Sequence, residues 1–422
     1  MLSSRLPKDL SPSPFFAELE RAKAEVFAEC AVADGLVGNA GANALPFIDM
    51  TVSSPVKAGL PIDLNAAVDE GRESFGCWNP DAAGWMSARE AVVEYYRARG
   101  GNFDAGQIIL TASTSEAYSI LFKAFCDPGD VILTPMPGYP LLDTLAQLEH
   151  LECAPYFLKL RRENGPSTKL RGLTKFTEPA EVNAKSTFRF VLDTDSLLSA
   201  PEKAKILLLV SPHNPTGHCV SRSEWNDVVS FCEHHNLILV VDEVFGDYGF
   251  SDDVRRSWTF LADSKPKCPI FWLNGLSKTV GSPQLKLGWM AFYAPRDQFE
   301  PIRAALEFVE DAYLSVSAPA QALGMALLKQ SAAYESQVRA RLLQNWKTLR
   351  QAFPSKYCPE VLGGWYAAIC LGDDDEELTL RLLREKHILV QPGFFFDFDE
   401  DGWVVVSLLA PPEQFKEAVS RM

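Results

Sequence analysis

The stretch Asn274-Gly275-Leu276-Ser277-Lys278-Thr279, continuing to Lys286-Leu287-Gly288-Trp289, decides how this sequence is read. It follows an apolar run, Pro269-Ile270-Phe271-Trp272-Leu273, that reads as a buried strand. Lys278 therefore sits just past a strand end. An amine held there is partly desolvated, its pKa falls, and it can attack a carbonyl to form a Schiff base. Taken alone, Ser-Lys-Thr is more often an ordinary surface lysine. The motifs upstream change that balance.

From about residue 84 to 300 the chain alternates helix and strand. Helices are expected over Ala88 to Arg99, Ser115 to Phe125 and Arg222 to His234. Strands are expected over 107–111, 131–134, 205–210, 237–241 and 269–273. Short apolar strands between helices predict an α/β fold with a parallel sheet covered on both faces. Ligands of such sheets gather beyond the carboxyl ends of the strands. Ahead of this region a helix is expected over Phe15 to Ala33 and a short strand over 46–52. Beyond it, helices are expected over Asp297 to Glu310 and Ala318 to Ala352, then short strands and a last helix, Glu413 to Met422. The polar stretch Arg161 to Ala200 reads as an insertion carrying a surface loop.

Four motifs fall at strand ends. Thr111-Ala112-Ser113-Thr114-Ser115-Glu116 joins a strand to a helix with capping-box spacing, and its free amides and hydroxyls suit a phosphate. A plain helix cap is the simpler reading of that motif alone. Ser211-Pro212-His213-Asn214-Pro215-Thr216-Gly217 is a proline-fixed turn that aims the Asn214 amide into the crevice. Val241-Asp242-Glu243 puts a carboxylate at the end of a buried strand, where it needs a cation; a protonated pyridine or a local Lys or Arg would serve. Pro137-Gly138-Tyr139-Pro140 presents a tyrosine that can stack on a planar ring or pack in the core.

In this order, each at a strand end of one sheet, these motifs resemble the class I/II aminotransferases, fold type I enzymes dependent on pyridoxal 5'-phosphate (PLP). The resemblance runs from about Asp49 to Ser407. It implies a large domain with a mostly parallel seven-stranded sheet between helices and a smaller α+β C-terminal domain. The expected division is 1–60 as an N-terminal arm and part of the small domain, 61–305 as the PLP-binding domain and 306–422 as the small domain. It also implies roles for particular residues. Lys278 would form the aldimine and then move the proton. Asp242 would hold the pyridine N–H⁺, Asn214 would donate to the ring O3′ and Tyr139 would stack on the ring. Ser113, Thr114, Ser115, Ser277 and Lys286 would hold the phosphate. The expected reaction is ping-pong transfer of an amino group from an amino acid to a 2-oxo acid, in a homodimer.

Several positions depart from that pattern. The usual phosphate arginine is Lys286, which keeps the charge but loses the bidentate fork. The usual tyrosine three residues after the aspartate is Phe245, and Tyr248 is the nearby candidate to replace its hydroxyl. Where a neighbouring subunit usually lends a tyrosine to the phosphate, this chain offers Trp78. The arginine that grips the substrate carboxylate in the final strand is Val405, and no arginine lies between Arg384 and Arg421. Either another group holds that carboxylate or the substrate lacks one. The aromatics of Gly363-Gly364-Trp365-Tyr366 and Pro392-Gly393-Phe394-Phe395-Phe396 either line a hydrophobic pocket or pack a domain interface. A PLP-dependent lyase, decarboxylase or cyclase starts from the same residues; pyridoxamine phosphate formation separates transamination from elimination. A non-catalytic PLP-binding regulator would pair this fold with a basic DNA-binding segment, which the sequence lacks.

Composition sets the setting. With 422 residues, 47% of them hydrophobic, the chain can bury a large core. A net charge of -15 argues against nucleic acid and anionic membranes as partners. No run of 18 apolar residues spans a bilayer, and the N-terminus lacks a signal-peptide core. Nine scattered cysteines with no CxxC pair suit reduced thiols in the cytoplasm, and no metal site is expected.

Overall fold

Leucine-rich and β-branched runs between turn residues form strands, and eight of them make one sheet in this computed structural model. The structure describes residues 3, 5–7, 9–33, 45–163, 187–254, 256–372 and 374–422. In chain order the strands are β1 (Ile108–Thr111), β2 (Val131–Met136), β3 (Glu152–Arg162), β4 (Phe188–Leu192), β5 (Ala204–Val210), β6 (Ile238–Asp242), β7 (Ile270–Gly275) and β8 (Gly288–Tyr293). Across the sheet they lie in the order β1-β8-β7-β6-β5-β2-β3-β4. The run from β7 to β3 is parallel. β8 is antiparallel to β7 and β1, and β4 is antiparallel to β3 at the edge.

The sheet therefore has one strand more than the expected seven. The extra strand, β4, comes from the stretch read as a polar insertion. Its Phe-Arg-Phe-Val-Leu alternation buries Phe188, Phe190 and Leu192. The rest of the expected surface loop, 164–186, lies outside the described residues.

Successive residues of the central strands enter two separate cores. Leu207, Leu209, Val241 and Trp272 face one; Ile206, Leu208, Val240, Phe271 and Leu273 face the other. Burial on both faces explains why these strands read as continuous apolar runs rather than alternating ones. Each such side chain contributes roughly 1.5–3 kcal/mol on burial.

Some helices begin or end where the sequence provides caps. The first, α1 (Pro14–Ala33), packs Phe15, Leu19, Ala22 and Val26 against Leu383 and Leu389. Next come α2 (Met86–Arg97), α3 (Thr114–Phe125), α4 (Arg222–His235) and α5 (Arg296–Asp311). The Ser113 side chain caps α3 by accepting from the Glu116 amide. A Ser221–Glu224 capping box starts α4, and Asn236 ends it in the left-handed region at φ 54°. One long helix was expected over 318–352; two form, α6 (Ala318–Leu328) and α7 (Ser331–Ala352). No glycine or proline marks the break. Ser331 instead turns inward, buried, and accepts a bond from Arg99.

The C-terminal part holds α8 (Asp375–Lys386) and an antiparallel sheet of β9 (Tyr366–Cys370), β10 (Gln391–Pro392) and β11 (Trp403–Ser407), with β11 central. Ile48 and Asp49 pair in parallel with Ile388 and Leu389, which ties the early chain to this part. Of the expected strand 46–52, only these two residues are extended and paired.

Candidate active site

The parallel strands end along one edge of the sheet. Register places Val210, Asp242 and Leu273 side by side. The turns that follow β2, β5, β6 and β7 carry Tyr139, Asn214, Asp242 and Lys278 to the same edge. Two close backbone approaches then bring the start of α3 beside the lysine turn. A Cβ on Gly275 would lie 2.9 Å from the Gly288 Cα, and one on Gly288 would lie 3.1 Å from the Ser113 carbonyl carbon. Glycine is needed at the first place, and a side chain at the second would press its neighbours apart.

Asp242 ends β6, half-buried. Its Oδ2 accepts from the Tyr118 hydroxyl at 2.8 Å and its Oδ1 from the Val244 amide at 3.1 Å. Burial raises its pKa; the Val244 amide, the Tyr118 hydroxyl and the Lys278 charge oppose the rise. No arginine or histidine pairs with it among the described residues. Tyr118, on α3, was not singled out in the sequence. Its signal was faint: a tyrosine one turn inside the helix that follows the phosphate-type cap.

Lys278 lies in the short helical turn Leu276–Thr279. Its amine is 4.8 Å from the Trp365 ring centroid and 5.5 Å from that of Phe245. The Ser53 carbonyl is 3.5 Å away, at the limit of a hydrogen bond. By area the residue is only half-buried, yet the two rings shield the amine itself. Burial lowers its pKa to about 8, and Asp242 pulls the other way. An amine so held is partly neutral near pH 8 and can act as a nucleophile and a base.

The phosphate-type residues divide. The Ser113 oxygen is engaged in capping α3, while Thr114 and Ser115 occupy the first turn, where helix amides lack partners within the helix. The half-buried Ser277 precedes the lysine. Lys286 is exposed, at φ 52° in the left-handed region. Asn214 follows the Ser211–Pro212 cis peptide, and its Oδ1 is buried without a hydrogen-bond partner. Tyr139 is half-exposed at the mouth, and burial followed by the Asp242 charge raises its pKa.

The structure also places the residues that the sequence left with alternatives. The Tyr248 hydroxyl donates to the Lys278 carbonyl at 2.6 Å, so it anchors the lysine turn. Trp365 and Tyr366 are buried within the site: the ring of the first lies beside the Lys278 amine, and burial, then the nearby Tyr139, raises the pKa of the second. Phe394 and Phe395 pack instead on Phe15 and Phe16 of α1. Val405 is fully buried between Ala368 and Gln391. Trp78 is 82% exposed within one chain.

A family model described as aminotransferase class I and II matches residues 70–422. The chain belongs to that family. This aminotransferase is 28% identical to an alanine aminotransferase of Mycobacterium tuberculosis over 357 residues, 81% of this chain and 76% of that one. It is 25% identical to the mouse tyrosine aminotransferase over 394 residues, 89% of this chain and 80% of that one. A crystal structure of an aminotransferase from Escherichia coli superposes with a TM-score of 0.76, covering 100% of this chain and 96% of that one at 20% identity. The fold type I architecture and PLP-dependent transamination expected of the aminotransferase therefore stand.

The residues present fit that cofactor. The half-buried Asp242 carboxylate, without a cationic bond partner, suits a positive ring nitrogen, the depressed Lys278 amine suits an aldehyde, and open first-turn amides suit a phosphate. No group of three potential metal ligands occurs among the described residues. No helix among them is long and apolar enough to cross a membrane.

Proposed function

We propose that Lys278 is the cofactor-bearing and proton-moving residue of this aminotransferase, with Asp242 as its electrostatic partner. The observation that carries the reading is the pair itself. At adjoining strand ends, a desolvated amine with a pKa of about 8 and a buried carboxylate each shift the other. Bound PLP supplies an aldehyde that condenses with amines and a ring that draws electrons from the substrate carbon. Asp242 holds a proton on the ring nitrogen, with Tyr118 fixing its Oδ2. Lys278 takes up and returns a proton at Nζ. Thr114, Ser115, Ser277 and Lys286 orient the phosphate, Asn214 the ring oxygen and Tyr139 the ring face. Trp365 and Phe245 keep water from the amine.

The substrates are an amino acid and a 2-oxo acid in two half-reactions. With Val405 buried inside a sheet, a neutral donor receives the substrate carboxylate. Trp365 is such a donor: its ring neighbours Lys278, and its buried Nε1 has no hydrogen-bond partner. A neutral donor discriminates less strongly than a bidentate arginine, so simple amines compete with amino acids. The exposed Trp78 serves a second copy of the chain in a homodimer. Residues 1–60 belong with the small domain of 306–422, a division supported by the Ile48–Ile388 pairing. Nine free cysteines favour the cytoplasm.

Borohydride reduction with PLP present, followed by peptide mapping, tests the central assignment. The label is expected on Lys278; a label elsewhere would falsify it. A panel of amino acids and amines, scored by pyridoxamine phosphate formation, then defines the donor. Pyruvate or ammonia without that product would move the protein to elimination chemistry.

A further inference from the structure

Behind the lysine turn lies a closed polar network that the reaction itself does not use. Asn274, 1% exposed, is the next-to-last residue of β7, four positions before Lys278. Its Oδ1 accepts from the Gly275 amide at 2.7 Å and from the Thr279 hydroxyl at 3.2 Å, so it clasps both ends of the turn. Its Nδ2 donates to the Tyr95 hydroxyl at 3.2 Å. Tyr95, on α2, donates that hydroxyl to Asp247 Oδ2 at 2.9 Å. Asp247 Oδ1 accepts from Arg99 Nε at 2.9 Å and from Arg256 Nη2 at 3.1 Å. Glu335 of α7 accepts from both arginines, at 3.0 and 3.2 Å.

One turn of chain serves both sides of the site. Asp242, at its start, faces Lys278, and Asp247 and Tyr248, at its end, hold the lysine turn from behind. Tyr248 acts directly on the Lys278 carbonyl and Asp247 acts through Tyr95 and Asn274. Burying two arginines, two carboxylates and a phenol together gives no sure gain in stability over apolar packing. What such a network provides is a fixed geometry, since each member is over-determined by the others.

We infer that Tyr95, Asn274 and Asp247 are positioning residues that hold Lys278 at its working distance from Asp242 and out of water. This rests on the assignment of Lys278 as the cofactor lysine. The physical argument is short. The backbone bonds that tie the four-residue turn to its surroundings meet at Leu276: its carbonyl accepts from the Val280 and Ser282 amides at 3.3 and 3.0 Å, and its amide donates to the Leu287 carbonyl at 3.0 Å. Side chains therefore fix the rest of the turn, where Lys278 lies. Asn274 can make its two bonds to the turn only if its amide is locked the right way round. The Tyr95 oxygen, itself committed as a donor to Asp247, can only accept, and so selects that orientation. The charges facing Asp247 are Arg99, Arg256 and Glu335, and the charge facing Lys278 is Asp242.

The test uses the full-length chain carrying Y95F, with S257A as a control. Ser257 follows Arg256 in the chain, but its hydroxyl accepts the Trp272 indole N–H at 2.8 Å and points its bond away from the turn's clasp, Tyr95 and Asn274. Trace acetic anhydride labelling at graded pH, with peptide mapping, reads the protonation midpoint of Lys278 in the cofactor-free protein. In Y95F the midpoint is expected to move up by roughly one pH unit toward an ordinary lysine, because the freed amine regains water. S257A is expected to lower the melting temperature and leave the midpoint at the wild-type value. N274A, which removes the clasp without adding a charge, is expected to shift the midpoint in the same direction as Y95F. If Y95F and N274A lose thermal stability while the midpoint stays at the wild-type value, the network is merely structural and the inference is overturned. Borohydride trapping in the wild type separates this from failure of the underlying assignment, which would appear as PLP attached to a lysine other than Lys278.

Discussion

Two aspartates stand in the same turn and meet opposite treatment. Asp247 is 3% exposed and closed in by Arg99 and Arg256. Asp242 is half-buried, carries only a phenol and an amide, and has its pKa raised by burial. The protein has compensated one carboxylate fully and left the other waiting. A buried acid whose cation is missing from the chain marks a place where a ligand supplies it. A buried acid with its cations in place marks a place where geometry is being fixed.

The sharpest way to break this contrast is at the lysine. Lys278→Ala should lower kcat on the order of 10⁴-fold and abolish borohydride labelling. Its melting temperature should hold or rise, since a depressed amine no longer has to be buried. The two aspartates come next, as a crossed pair. Asp242→Asn should cost roughly 10²–10³-fold in kcat with the melting temperature nearly unchanged. Asp247→Asn should destabilise by about 3–5 kcal/mol in a denaturant titration, because two buried arginines lose a partner. Equal activity losses with equal stability losses would erase the distinction.

A smaller effect belongs to Tyr118. Removing its hydroxyl in Tyr118→Phe deletes a bond that favours the ionised Asp242, so the carboxyl pKa should rise further. About 1 kcal/mol for that bond corresponds to a roughly fivefold loss in kcat/KM, with the pH profile moved upward. The smallest effect on turnover concerns Glu310, a third buried acid, 1% exposed, whose Oε1 has no partner and whose charge acts on stability alone. Burial, then the nearby Glu116, pushes its pKa up to about 8 from 4.5. The folded form therefore holds a proton that the unfolded form releases between those values. Stability from this group is full below about pH 4.5 and is lost as pH rises toward 8. Glu310→Gln should flatten that decline, by roughly 1 kcal/mol per pH unit, in melts run across the interval.

Much of the fold was legible because its signals are local. The parallel core strands announce themselves as apolar runs, since both faces are covered. β3 and β8 did not stand out: one carries a proline and alternating polar residues, the other follows directly on the lysine motif. β4 was hidden by its charged surroundings, though its alternation is regular. The break between α6 and α7 carried no punctuation at all.

Residue order alone determined the parallel core strands, the strand-end motifs and the choice of Lys278 and Asp242, because strand period, turn chemistry and spacing are properties of neighbours along the chain. Tertiary structure decided which carboxylate is left open. It brought the Tyr118 hydroxyl to Asp242 across 124 positions and Asn274 to Tyr95 across 179. It also sent Phe394 and Phe395 to α1, while Trp365 went to the lysine. Contacts between such distant residues depend on how covered layers stack in three dimensions, and no periodicity in the sequence encodes them.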